Sequence, residues 1–161
     1  MTQELFDLSN KTIILTGSAG RLGANFAEIL ADAGANLVLI DINEETNKKL
    51  EKRITKKFKI KCISSSANIT VKKELLELSK IIIKKFGKID GLVNNAFYNP
   101  RTNIEQSARR FEDYSLDLWN DVVSVNLTGV FLCSQTFGKI MAKQKVGGSI
   151  VNISSIYGIN G

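Results

Sequence analysis

Residues 11–23 read KTIILTGSAGRLG, and the fold follows from how this stretch divides. Lys11-Thr12-Ile13-Ile14-Leu15-Thr16 is a short apolar run closed by a glycine cluster, which predicts a strand. TGSAGRLG, residues 16–23, then places glycines at 17, 20 and 23. Glycine takes positive φ without steric penalty and lets backbone N–H groups come close to another group. From Arg21 to Ala33 the apolar residues Leu22, Phe26, Ile29 and Leu30 recur at helical spacing, and Gly34 stands where a helix should stop. The stretch therefore predicts a strand, a tight turn and a helix in direct succession.

Outward from it the alternation continues. Asn36–Ile40, NLVLI, has almost no polar alternation, as expected of a strand covered on both faces. A charged helix over Asn43–Lys57, a weaker strand over Ile60–Ser64 and a periodic helix over Val71–Phe86 closed by Gly87 follow. Ile89–Val93 predicts a fourth strand, Ser115–Lys145 contains a long helix, and Ser149–Ile153 predicts a fifth strand. Strictly alternating strands and helices specify an α/β fold, a doubly wound parallel sheet in three layers with right-handed crossovers. One domain over 1–161 is expected, with no internal repeat and no low-complexity tract. The connection FYNPRTNIEQSARRFEDY, residues 97–114, is long and polar, and such loops in compact domains are functional or mobile.

Composition bounds the function classes. With 161 residues, 43% apolar and 24% charged, the chain suits one domain with a real core. No apolar run approaches the ~20 residues of a membrane helix. The start, MTQELFDLSNK, lacks a basic segment followed by an apolar one, so no signal peptide is read. A cytoplasmic protein is expected, with Cys62 and Cys133 as two reduced, buried thiols. There is no histidine, which excludes a Ser-His-Asp triad and removes the commonest transition-metal ligand, so no metal site is expected. The net charge of +6 lies largely in KKLEKRITKKFKIK, residues 48–61. These charges surround a predicted helix with no aromatic stacking set beside them, so they are read as a solvated face and not as a nucleic-acid surface.

The glycine turn carries the chemistry. A helix that opens on such a turn offers unpaired N–H donors and partial positive charge to a pyrophosphate. Asp41 ends the second strand eighteen residues after Gly23, where a dinucleotide-binding fold places the acid that holds the ribose hydroxyls.

The loop, Asp41, LVNNA at 92–96, VNLTG at 125–129 and GSIVNISS at 148–155 together resemble the short-chain dehydrogenase/reductase superfamily, in order from about residue 9 to the last residue. The resemblance implies a Rossmann fold, an NAD(P) cofactor, hydride transfer between NAD(H) and a secondary alcohol or ketone, and a homo-oligomer. It assigns Gly17, Gly20, Arg21, Leu22 and Gly23 to the pyrophosphate side and Asp41 with Ile42 to the adenosine ribose. Asn68 and Ile69 stand where the family has Asp-Val against adenine, and Asn95 and Ala96 lie along the cofactor. Asn126 matches the asparagine that helps hold a proton-relay water, and Ser155 matches the serine that hydrogen-bonds the substrate oxygen. Asp41 favours NAD over NADP, because a carboxylate repels a 2′-phosphate; Arg21 is the opposing feature. The helix over 119–141 is apolar on more than one face, so one side should meet the sheet and the other a partner subunit.

Four departures qualify the resemblance. The loop reads G-x-x-G-x-x-G with Arg21 at the usual second glycine, a spacing also found in sugar-nucleotide epimerases and dehydratases. Phe97 replaces the glycine of NNAG, and either packs away from the cofactor or narrows the nicotinamide pocket. Asn68 replaces the usual aspartate. The family's Tyr-x-x-x-Lys occurs nowhere in the 161 residues: Tyr157 is followed four places later by Gly161. Residues 1–161 are therefore read as an N-terminal part without the C-terminal strands, binding cofactor but turning little over; a non-catalytic nucleotide-binding domain is the alternative.

Overall fold

The structure, a computed structural model, describes residues 6–100 and 110–155. Within them a five-stranded, wholly parallel sheet runs in the order β3-β2-β1-β4-β5. The strands are β1 (Thr12–Thr16), β2 (Asn36–Ile40), β3 (Cys62–Ser65), β4 (Gly91–Asn94) and β5 (Ser149–Asn152). The helices are α1 (Arg21–Asp32), α2 (Glu44–Lys57), α3 (Lys72–Phe86), α4 (Leu116–Val123) and α5 (Val130–Lys143). A π-helical stretch, Ser124–Gly129, joins α4 to α5, and a short 3-10 turn, Phe111–Asp113, precedes α4. The order reverses between β1 and β4, where a doubly wound sheet opens a crevice beyond its strand ends.

Two cores lie on the two faces. On one, Ile13, Leu15, Leu37 and Leu39 meet Ala27 and Ala31 of α1 and Leu50 and Ile54 of α2. On the other, Ile14, Val38, Ile40 and Leu92 meet Leu75, Leu78 and Ile82 of α3 and Cys133, Phe137 and Met141 of α5. β1 and β2 are buried almost throughout, which explains their unbroken apolar sequence.

Local chemistry sets the ends. Asn43 caps α2 by accepting the Thr46 N–H, and Glu44 and Glu45 in the first turn with Lys56 and Lys57 in the last suit the helix dipole. Its basic residues lie largely in solvent, and Lys57 and Arg53 pair with Glu28 of α1.

Three expectations shift. The fourth strand begins at Gly91 and not at Ile89, because Gln144 takes both the Ile89 N–H and its carbonyl out of the ladder. The third begins at Cys62. In α1 the buried face is Gly23, Ala27 and Ala31, while Leu22 and Ile29 lie in solvent. Small residues win there because the helix sits close on the strands, and the larger apolar ones are displaced to its flanks. Residues 101–109 of the long 97–114 connection lie outside the described residues, as do Tyr157 and Gly161.

Candidate functional site

The site is built at the carboxyl ends of β1, β2 and β4. Gly17 has φ of 65°, and a Cβ there would fall 2.6 Å from the Ala96 Cα. A Cβ on Gly23 would fall 2.1 Å from the Gly17 carbonyl oxygen. The turn is therefore folded onto itself and against the end of β4, and only glycine fits at either place. Thr16 Oγ1 accepts the N–H groups of Asn95 and Ala96, each at 3.0 Å. Asn95 Nδ2 donates to the carbonyls of Thr16 at 3.0 Å and Gly17 at 3.1 Å. The Asn95 amide thus braces the turn from across the sheet.

Asp41 fixes the other side. One carboxylate oxygen accepts the Ala19 N–H and the other the Asn43 N–H, each at 2.9 Å. Its position is set by the turn it faces and by the entry to α2. Asn47, fully buried within α2, was not anticipated from the sequence. It accepts from Ser18 Oγ at 2.8 Å and donates to the carbonyls of Leu39 and Ser65. One side chain so ties the turn to β2 and β3. The available signal was its place on the stripe of Leu50 and Ile54: a polar residue on the apolar face of an otherwise charged helix.

Between these walls runs a groove of about 540 Å³, within the size range of small-molecule and cofactor sites. Gly17, Asp41, Ile42, Asn68, Ile69 and Ala96 line it, and so do Thr70, Phe97, Tyr98, Asp121 of α4 and Ser124 and Val125 of the π-helical stretch. Phe97 is 70% exposed and stands in the groove wall, so it does not pack away into the core. Gly20, Arg21, Leu22 and Gly23 are not among the lining residues. Gly23 is buried beneath the turn, and Arg21 and Leu22 project from the first turn of α1 into solvent. The Gly20 N–H donates to the Gly17 carbonyl at 3.2 Å, and Arg21, Leu22 and Gly23 form the start of α1, where backbone N–H groups lack intrahelical partners.

Asn126 lies in the π-helical stretch, and its side chain is already engaged. Its Oδ1 accepts the Tyr98 N–H at 2.8 Å and its Nδ2 donates to the Tyr98 carbonyl at 3.0 Å. The amide clasps the segment after β4, so a relay through Asn126 would fall to its backbone carbonyl. A π-helical turn disturbs the regular i→i−4 ladder locally, which is where backbone groups come free. Ser155 follows β5 and is exposed at the end of the described residues. Asn94 of β4 donates to Asn152 Oδ1 at 2.8 Å and to Ser134 Oγ at 3.1 Å, joining β5 and α5 just short of that serine.

Cys62 and Cys133 are buried and unpaired, and burial pushes both thiols up to about 12. Neither is a nucleophile at neutral pH. Among the described residues no cluster of three or more His, Cys, Asp or Glu side chains is placed to hold a metal, and no helix is long and apolar enough to cross a membrane.

Comparison with known proteins agrees with this geometry. The family model for short chain dehydrogenases matches residues 11–161. The chain is 34% identical over 153 residues to the 5-keto-D-gluconate 5-reductase of Escherichia coli strain K12, covering 95% of this chain and 57% of that protein. The structure of an NAD+-bound xylitol dehydrogenase superposes with a TM-score of 0.83 at 30% identity, over 96% of this chain and 56% of that one. A metagenomic short-chain oxidoreductase in complex with NADP superposes with a TM-score of 0.82 at 26% identity, over 96% and 66%. The chain spans a little over half the length of most of the curated relatives it matches.

Proposed function

The chain belongs to the short-chain dehydrogenase family, and from that premise we propose that its groove binds NAD(H) in an oxidoreductase acting on a secondary alcohol or ketone. The observation that carries the reading is Asp41, held by the glycine turn at the edge of the groove. Gly17 lets the turn lie directly against Ala96 at the edge of the groove, and the first turn of α1 offers N–H groups to the phosphates of a dinucleotide. Asp41 would hold the adenosine ribose, and Asn68 and Ile69 would flank the base. When bound, the nicotinamide accepts or supplies the hydride.

The chain's own residues would then orient. Asn95 holds the turn, and Asn126 holds Tyr98 and so the wall that carries Phe97. Ser155 would hydrogen-bond the substrate oxygen. Moving the proton needs a group with a tuned pKa, and general acid–base groups contribute roughly 10²–10⁴-fold. The Tyr-x-x-x-Lys pattern is absent from the 161 residues. Residues 1–161 alone are therefore proposed to bind dinucleotide and to turn over at most slowly.

NAD is favoured over NADP for an electrostatic reason. Asp41 and Asp121 both line the groove, and a 2′-phosphate beside them is repelled, while Arg21 lies outside the lining. Calorimetric titration of both cofactors tests this: NAD should bind more tightly, and Asp41→Ala should weaken NAD about tenfold and narrow the gap. Tighter NADP binding, or an unchanged gap in Asp41→Ala, overturns the preference. A homo-oligomer through the outer face of α4 and α5 completes the proposal.

A further inference from the structure

The polarity of one groove wall is set by a single turn. Asn68 Oδ1 accepts both the Thr70 N–H at 3.0 Å and the Thr70 hydroxyl at 2.9 Å. A backbone N–H can only donate, so the oxygen of the amide, and not its NH₂, must face Thr70. A carbonyl oxygen has two lone pairs, and both are used. Asn68 Nδ2 makes no hydrogen bond with a described residue, and Asn68 and Thr70 both line the groove. The side chain that an aspartate would fill with acceptors therefore offers only donors. The Thr70 hydroxyl has given its proton to Asn68, so its oxygen offers only lone pairs. A donor and an acceptor consequently stand side by side, with their senses locked to each other.

We propose that Asn68 and Thr70 together read the base of the bound dinucleotide, Asn68 Nδ2 donating to a ring nitrogen and Thr70 Oγ1 accepting from the adjacent exocyclic amine. The inference rests on the dinucleotide reading above and adds Thr70 as a specificity-determining residue. Adenine fits this wall on either edge, because its amine donor lies beside N1 on one side and N7 on the other, both acceptors. Hypoxanthine does not fit: its exocyclic oxygen is an acceptor and would face the Thr70 lone pairs. Guanine fails at the same place. Reversing the Thr70 hydroxyl to suit them would leave Asn68 Oδ1 one partner short.

The test compares two probes, NAD and its hypoxanthine analogue deamino-NAD, by calorimetry on the purified protein and two variants. Thr70→Ser and Thr70→Ala differ from each other only in the hydroxyl. The ratio of the two affinities within one variant is independent of how much of that variant is folded. The unaltered protein and Thr70→Ser should prefer NAD by about tenfold, and Thr70→Ala should lose most of that preference. If both probes bind and Thr70→Ala keeps the preference, or the unaltered protein shows none, the inference is overturned while the dinucleotide reading stands. If neither probe binds to the folded protein, the dinucleotide reading falls and the inference with it.

Discussion

Gly17 and Gly87 share a positive φ but differ in what surrounds them, and that difference separates strain from collision. A Cβ at Gly17 would meet the Ala96 backbone at 2.6 Å, whereas at Gly87 nothing lies within 4 Å. Gly87→Ala should therefore cost only the left-handed conformation, about 1 kcal/mol. Gly17→Ala must also push two chain segments apart and should cost about 2–4 kcal/mol. Chemical denaturation of both variants checks the order; equal losses would mean that the turn yields easily. The two cysteines give a second prediction at this scale. Both thiols titrate near 12 in the folded chain against 9 for an ordinary one. Between these values the unfolded chain has released protons that the folded chain retains, so stability falls as pH rises. Below pH 9 this contribution is fully present. From about pH 9 towards 12 it should be lost at up to about 1.4 kcal/mol per pH unit for each thiol. Ellman's reagent should accordingly react with neither cysteine at pH 8 until the chain is unfolded. Fast labelling of the native protein would contradict their burial.

Among the elements, α5 and β4 are joined by a contact that periodicity does not reveal. Gln144 just beyond α5 accepts the Ile89 N–H at 2.9 Å and donates to the Ile89 carbonyl at 2.8 Å. Gln144→Ala would strand both backbone groups of a fully buried residue and should cost about 1–3 kcal/mol. A denaturation midpoint unchanged from that of the parent would show that water replaces the glutamine. The same contrast explains what could be read in advance. β1, β2, α2 and α3 were legible because apolar spacing, cap residues and glycine stops report on a segment's own periodicity. The glycine turn and Asp41 were legible because a strand-turn-helix with an acid at the next strand end is a local pattern. Asn47, Gln144 and the Asn126–Tyr98 clasp were not, since each is a polar side chain whose partner lies far off in sequence. The helical spacing of Leu22, Phe26, Ile29 and Leu30 marked α1 but not its buried face, because spacing does not report how closely a helix sits. The π-helical stretch also escaped, because helix continues on both sides of VNLTG and the widening shows only in the backbone.

At the scale of the whole molecule, two apolar surfaces lie open among the described residues. Among the described residues β5 is an outer strand of the sheet, and Ile150 and Val151 on it and Ile153 just beyond it are exposed. On the outer side of the helical layer, Trp119, Leu127 and Phe131 are each more than half exposed, with Val123 between them. These four residues recur every four positions, which gives one stripe along α4, the π-helical stretch and α5. Neighbouring exposed apolar side chains in such a row mark association surfaces, whereas scattered ones do not. The stripe and the strand edge make different predictions about association. A helical stripe self-associates by burying side chains and is abolished by charge, while a strand edge pairs through its backbone and tolerates many side-chain changes. The proposal of a homo-oligomer through the stripe therefore predicts that Leu127→Glu with Phe131→Glu converts the protein to monomer in sedimentation velocity. The same pair should leave its far-ultraviolet circular dichroism intact, since neither side chain is in the core. Val151→Lys should leave the oligomer in place. The reverse result, with the glutamates harmless and the lysine dissociating, would move the interface to β5 and remove α4 and α5 from the account of assembly.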